Sequence, residues 1–240
     1  GPAPIVIPGS GTEVSGRISC IATHPTNPDL CYVGAANGGI WKTEDGGTTW
    51  SPKTDALPNI SSGAIAVDPV DPSILFYGTG EPNYSSSTFP GGGVFKSTDG
   101  GDSWALSNAG MTAEKRIAKI SIDPLNSSNV YAAAQTSSLS GGIYKSTDGG
   151  VNWSKVLAYV LSWDVVVHPA NSSVVYAAIG ENATNAGIWK STTGGTSGSW
   201  VKLTNGLPPS SAVQRITLAV TPTLPNNIYA LMSSLGGVGF

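Results

Sequence analysis

The chain predicts an all-β protein assembled from repeated four-stranded antiparallel units, and three observations carry that reading. Only 11% of the 240 residues are charged, while 31 are Gly and 17 are Pro; a typical soluble domain carries roughly 25% charge. A strand, a Pro-containing turn and a second strand recur five times. Four of those hairpins are followed by another, built on a Gly-Gly turn and a Trp. The aromatic residue opening this second hairpin recurs at Trp41, Phe95, Tyr144, Trp189 and Phe240, separated by 54, 49, 45 and 51 residues. One four-stranded unit per period of this length is the arithmetic of β-propeller blades.

The first hairpins align without a gap on their proline. They run from Cys20 through His24-Pro25 to Tyr32, and from Ala64 through Asp68-Pro69 to Phe76. The next three run from Lys119 through Asp123-Pro124 to Tyr131, from Asp164 through His168-Pro169 to Tyr176, and from Thr217 through Thr221-Pro222 to Tyr229. Apolar runs rich in β-branched and aromatic residues flank each turn, the pattern of paired strands. The residue before each proline is expected to accept a turn N–H, which gives His24 and His168 a structural role.

The second hairpins carry Thr43-Glu-Asp45-Gly-Gly47 before Trp50, Ser97-Thr-Asp99-Gly-Gly101 before Trp104, and Ser146-Thr-Asp148-Gly-Gly150 before Trp153. Gly supplies the positive φ of a tight turn, and the hydroxyl and carboxylate accept its backbone N–H groups. The fourth copy, Ser191 to Gly195, lacks the Asp and has two extra residues before Trp200, so a looser turn is expected there. The predicted blades cover residues 17–55, 61–107, 116–157, 162–203 and an incomplete 214–240, all within one domain spanning 1–240. Residues 3–8 sit at a fourth-strand position and predict an outer strand closing the last blade. An interrupted third strand at Phe240 leaves edges that need covering. The chain is therefore expected to be an incomplete ring from a longer protein; the rival is five short-ended blades closed by residues 3–8.

Charge and composition exclude several function classes. The net charge of −3 and 12 Lys plus Arg give no basic face for sequence-independent nucleic-acid binding. No apolar run reaches the 18 residues of a membrane-spanning helix, so no membrane insertion is expected. No His or Cys cluster has metal-ligand spacing, and no phosphate loop or nucleophile elbow appears, so neither a metal nor a cofactor is expected. The two cysteines, Cys20 and Cys31, flank the first Pro turn. In a hairpin centred there they fall nearly opposite, within disulfide range; the alternative is two small buried residues.

The pattern Ser/Thr-x-Asp-x-Gly-x-x-Trp resembles the Asp-box, or BNR, repeat of sialidase, sortilin-type (VPS10) and xyloglucanase propellers. Gly16-Arg17-Ile18, His24-Pro25, Gly39-Ile40-Trp41-Lys42 and Gly78-Thr79-Gly80-Glu81 resemble large secreted bacterial propeller proteins. The resemblance spans essentially the whole chain and implies a propeller in a secreted or cell-surface bacterial setting. It implies little about activity, because the turn serves enzymes and binders alike.

Ligand-binding candidates lie where the repeat is broken. Loops between second and third strands share one propeller face, opposite the Asp-box turns. The longest, in the second repeat, carries Glu81, Asn83 and Tyr84; the fourth repeat has a shorter counterpart with Glu181. Carboxylates, amides and an aromatic suit a sugar or peptide ligand; the alternative is that Glu81 ties its own loop. Of three arginines, Arg17 and Arg116 open first strands at the same repeat position, and Arg215 is one residue off it. A three-arginine carboxylate clamp of the sialidase kind is weighed against plain structural pairing, which is preferred. Asp164, beside Trp163, is placed at the central channel. The chain is read as a binding or adhesion module for a glycan or protein, non-catalytic by itself, with further domains in the same protein. The alternative is a glycoside hydrolase acting on a polysaccharide, and such an enzyme needs a pair of carboxylates.

Overall fold

A computed structural model describes residues 5–6, 13–14, 17–83, 89–111, 115–136, 140–180 and 184–233. Strands β1 (Ile5–Val6) and β2 (Glu13–Val14) precede the repeats. The first blade is β3 (Ile18–Thr23), β4 (Cys31–Ala35), β5 (Gly39–Thr43) and β6 (Ser51–Pro52). The second is β7 (Ser62–Val67), β8 (Leu75–Thr79), β9 (Val94–Ser97) and β10 (Ala105–Leu106). The third is β11 (Arg116–Ile122), β12 (Val130–Gln135), β13 (Gly142–Ser146) and β14 (Ser154–Leu157). The fourth is β15 (Ser162–Val167), β16 (Val175–Ile179), β17 (Gly187–Ser191) and β18 (Val201–Lys202). Strands β19 (Arg215–Val220) and β20 (Ile228–Ser233) form a two-stranded fifth sheet, after a single 3-10 turn at Ser210–Ala212. Each four-stranded sheet is an antiparallel meander in chain order.

First strands of successive blades pack on one another, β3 on β7, β7 on β11, β11 on β15 and β15 on β19. Their buried side chains make one apolar layer between each pair of blades. Ile21 shows what a missing neighbour does. It is 64% exposed, whereas the residues at its repeat position, Ile65, Ile120, Val165 and Leu218, are all buried.

A bulge recurs in four of the five first strands, between Ile18 and Cys20, Ser62 and Ala64, Ile117 and Lys119, and Ser162 and Asp164. The extra residue bends the strand and re-aims its side chain. In the fifth blade the pairing from Arg215 to Val220 is continuous.

The Gly-Gly turns are held as their residues predict. Ser97 Oγ donates to Asp99 Oδ1 at 2.7 Å and accepts the Gly101 N–H at 2.9 Å. Asp99 in turn accepts the N–H and hydroxyl of Ser103. Thr43 and Asp45, and Ser146 and Asp148, repeat the arrangement. In the fourth blade Ser191 Oγ still accepts the Gly195 N–H, at 3.0 Å, and hydroxyls of Thr193, Thr196 and Ser199 replace the carboxylate contacts. Hydrogen bonds from the Thr49 side chain and backbone hold the Asp45 carboxyl at about 2, below the ordinary 3.8. The Asn152 backbone and side chain do the same for Asp148, also to about 2, and Ser103 lowers Asp99 likewise. Folded-state values below the unfolded ones mean stability that is complete above about pH 4 and lost as pH falls toward 2. A triple Asp45→Asn, Asp99→Asn, Asp148→Asn variant is therefore expected to show a flatter melting-temperature profile between pH 4 and 2. An unchanged slope in thermal scans would rule out that role.

Two of the turn tryptophans reach backward to the preceding blade. Trp104 Nε1 donates to Lys53 O at 3.1 Å, and Trp153 Nε1 donates to Ser107 O at 2.8 Å. The residues before the prolines act as turn acceptors. Asp68 Oδ1 accepts the Val70 N–H and Asp123 Oδ1 the Leu125 N–H, while Nδ1 of His24 and His168 takes the same place for Asn27 and Ala170.

One expectation is corrected. Cys20 and Cys31 are free thiols. The turn uses more chain than a hairpin centred on the first proline, closing with His24 N–H on Leu30 O, so Cys31 faces Thr23 and Cys20 faces Gly34. That offset of three residues puts the thiols beyond bridging. At the N-terminus β1 pairs with β2, Ile5 with Val14 and Val6 with Glu13, and the fifth sheet has two strands among the described residues.

Candidate functional site

The residue five places before each proline lies on a first strand, and the five of them line one cleft: Cys20, Ala64, Lys119, Asp164 and Thr217. The bulge residues Ser19, Gly63, Ala118 and Trp163 line it as well, and its volume is about 280 Å³. This is the central channel, with Asp164 in its wall as expected. Asp164 is almost fully buried; its Oδ2 accepts the Leu218 N–H at 2.9 Å, which ties the fourth blade to the fifth. Its Oδ1 has no hydrogen-bond partner, and neither has the buried Trp163 Nε1. Burial pushes the Asp164 carboxyl up, against the attraction of Lys119. Burial also pushes the Cys20 thiol up to about 12, which leaves it a poor nucleophile.

The second blade's loop roofs this channel. Pro82 lines the cleft, and the residues on either side of it are anchored from two other blades. Glu81 is 1% exposed; its Oε1 accepts the Asn83 N–H at 2.8 Å, and its Oε2 lies 3.0 Å from Arg17 Nη2, whose side chain is 55% exposed. Arg215 donates to Asn83 Oδ1 at 2.6 Å and stacks on the Trp163 ring, 4.9 Å from its centroid. Glu81, Asn83, Arg17 and Arg215 thus form one chain of contacts joining blades one, two and five across the mouth. Glu81 ties its own loop, beside the channel-lining Pro82.

The arginines correct the alignment. Arg116 pairs with Gln135 and Arg215 with Ser233, while Ala36 donates its N–H to Arg17 O. Gln135, Ser233 and Ala36 are each the eleventh residue after their blade's proline. The bulge missing from β19 offsets the one-residue difference, so the three arginines occupy equivalent places in blades one, three and five. Arg116 also lies against the loop, since a side chain added at Gly80 would meet its Cα at 2.8 Å. Tyr84 and Glu181 lie outside the described residues. Lys119, Trp163 and Arg215 are the members that sequence reasoning undervalued. The alignment on proline already placed Lys119 beside Asp164 in the ring, but the bulge that restores Arg215 leaves no local signature.

Among the described residues no group of His, Cys, Asp or Glu is arranged to hold a metal ion, and no helix is long and apolar enough to cross a membrane. Of the residues lining the cleft, Asp164 is the carboxylate.

No family model matches the sequence. The chain is 31% identical over 106 residues to the xyloglucanase Xgh74A of Acetivibrio thermocellus, a stretch covering 42% of this chain and 12% of that enzyme. Among solved structures it resembles an ancestral GH74 enzyme, with TM-score 0.71 and 21% identity over 91% of this chain and 29% of the other. It resembles the GH74 enzyme of Niastella koreensis, with TM-score 0.67 and 25% identity over 90% of this chain and 34% of the other. It also resembles the GH74 xyloglucanase of Xanthomonas campestris, with TM-score 0.54 and 18% identity over 91% of this chain and 42% of the other. The chain therefore spans well under half the length of each of these proteins. The comparisons support the propeller and carry neither the sortilin nor the sialidase resemblance. What they show is the fold: the repeated four-stranded sheets are β-propeller blades of the kind found in GH74 structures.

Proposed function

We propose that the chain is part of an exported glycoside hydrolase of the xyloglucanase type, contributing blades whose channel face contacts a β-glucan polysaccharide. The identity to the Acetivibrio thermocellus xyloglucanase over 106 residues is the observation that carries this reading, and it favours the hydrolase over a free-standing adhesion module. The hydroxyl-and-carboxylate turns support reading Thr43 to Trp50, Ser97 to Trp104 and Ser146 to Trp153 as Asp-boxes. The polar rim of Arg17, Glu81, Asn83 and Arg215 at the channel mouth, with Arg116 opening the third blade's first strand, supports glycan contact there, where fixed amide and guanidinium groups meet hydroxyls.

A specific observation limits the activity of these blades taken alone. Glycoside hydrolysis uses two carboxyl groups. Among the described residues that line the cleft Asp164 is the one carboxylate, and Glu81, next to the lining Pro82, is paired with Arg17. On this reading the second acid of a hydrolytic pair lies outside the described lining, and residues 1–240 are expected to bind without cleaving. Affinity electrophoresis in gels containing tamarind xyloglucan, run beside a reducing-sugar assay, tests both halves. Retarded migration with no sugar release is expected. Unretarded migration would remove the glycan reading, and release of sugar by residues 1–240 would overturn the division of labour.

A further inference from the structure

The wall of the central channel holds polar groups that the fold leaves unpaired. Buried polar side chains of a native protein are nearly always hydrogen-bonded, so each exception calls for a cause. Asp164 is 3% exposed and Trp163 8% exposed. Asp164 Oδ1 and Trp163 Nε1 have no partner, and both residues line the cleft of about 280 Å³. Lys119 lines the same cleft from β11, which packs against the β15 strand of Asp164. It attracts the Asp164 carboxyl yet forms no ion pair with it. No hydrogen bond holds Lys119 Nζ among the described residues, whereas Lys96 and Lys145 at the blade junctions donate to Gly149 O and Gly194 O.

The charges of this lining select what can enter. Lys119 and Arg215 are its cations, and Asp164 is its carboxyl. Arg215 is held by Asn83 Oδ1 and by the Trp163 ring, and Glu81 nearby is paired with Arg17. Lys119 is then the cation left without a counter-ion. Burial favours the neutral form of Asp164, so the balance in the cleft is positive and an anion is admitted in preference to an amine. One unanswered ammonium suits one negative charge. An unpaired carboxyl oxygen suits a hydroxyl, which can both donate and accept. The volume of about 280 Å³ is just below the roughly 300 Å³ at which small-molecule pockets begin, room for one ring and not for a chain.

We propose that the central channel is a binding site for a small hydroxylated carboxylate with the size and chemistry of a single uronic acid ring. Its carboxylate meets Lys119 Nζ in a charge-assisted contact, and a ring hydroxyl meets Asp164 Oδ1. A neutral sugar leaves Lys119 unanswered, and an α-amino acid sets its ammonium against Lys119 and Arg215. The acid arrives free or as the end unit of a glycan. This site does not rest on the xyloglucan reading, because its contacts are with a charged group inside the channel and not with the rim.

Titration calorimetry of residues 1–240 with D-glucuronate, D-glucose and L-serine tests it. Glucuronate is expected to bind at least about tenfold more tightly than either, the size of one contact to a charged group. It should also move the indole N–H resonance of Trp163, assigned with a Trp163→Phe variant. Lys119→Met is expected to weaken glucuronate by about the same tenfold factor, with Lys119→Arg restoring most of it. Should Lys119→Met fail to fold, the ligand preference and the Trp163 resonance of the unaltered chain still decide. Methyl β-D-glucuronide binding as tightly as the free acid assigns the site to a glycan end unit, and weaker binding assigns it to the free acid. No glucuronate binding, equal binding of glucose or serine, an unmoved Trp163 resonance, or full affinity in a folded Lys119→Met variant overturns the proposal. Retardation by xyloglucan is a separate result: where it persists and glucuronate fails, the channel site alone falls.

Discussion

Gly63→Ala is expected to destabilise the protein by about 3 kcal/mol or more, lowering the melting temperature by about 10 °C. Gly63 is the bulge residue of the second blade's first strand. A Cβ there would stand 2.1 Å from Ile117 O and 2.4 Å from Gly80 O. Both are backbone atoms, of the third blade and of the loop leading to Glu81, so relief requires moving a strand rather than a side chain. The bulge itself tolerates larger residues, since Ser19, Ala118 and Trp163 occupy it in other blades. The demand for glycine arises from the closeness of blade three. Ala118→Gly serves as the control and should cost only about 0.5–1 kcal/mol through chain entropy. Equal losses for the two variants in a thermal or urea melt would contradict the account.

Trp153→Ala is expected to cost about 3–5 kcal/mol. Its ring is buried in the layer between the second and third blades, packed with Phe76, Val94 and Tyr144. Its indole N–H donates to Ser107 O, and Ser107 Oγ in turn donates to Gly150 O. The change therefore removes apolar contact and leaves a polar group of blade two unpaired. Trp50 holds the matching place in the first blade and donates to Gly47 O of its own turn at 3.1 Å, as Trp153 also does to Gly150 O at 3.2 Å, but no bond to another blade is seen for it among the described residues. Trp50→Ala is expected to cost about 1 kcal/mol, the value of one net hydrogen bond. If the two variants melt together, the Trp acts within its own turn and not as the joint between blades.

The repeat was legible because its residues are chosen for local reasons. Asp and His before the prolines, the hydroxyls and carboxylates of the Gly-Gly turns, and the alternating strands each satisfy nearby backbone, and each reads from a short window. What crosses between blades was harder to see. Nothing local in Trp104 or Trp153 says that the indole N–H leaves its own blade, and nothing in Gly63 says that another strand passes beside it. The cysteines show how register is set: seven residues from His24 to Leu30 close the first turn, and that length, unread, shifts the partners by three. The site was half legible. Glu81, Asn83 and Arg17 stood out because they break the repeat, and the structure joins them. Arg215 was set aside for a one-residue offset that the missing bulge removes, and Lys119 was a charge in a ring otherwise read for shape.

The central claim is that a polysaccharide meets this propeller at the channel mouth. Hydrogen–deuterium exchange with and without a xyloglucan oligosaccharide tests it most directly. The account predicts slowed exchange at residues 79–83, 89–93 and 214–217, around Glu81, Asn83 and Arg215, with none at the Gly-Gly turns of residues 43–49, 97–103 and 146–152. Protection confined to those turns, or no protection at either face at saturating sugar, would contradict it.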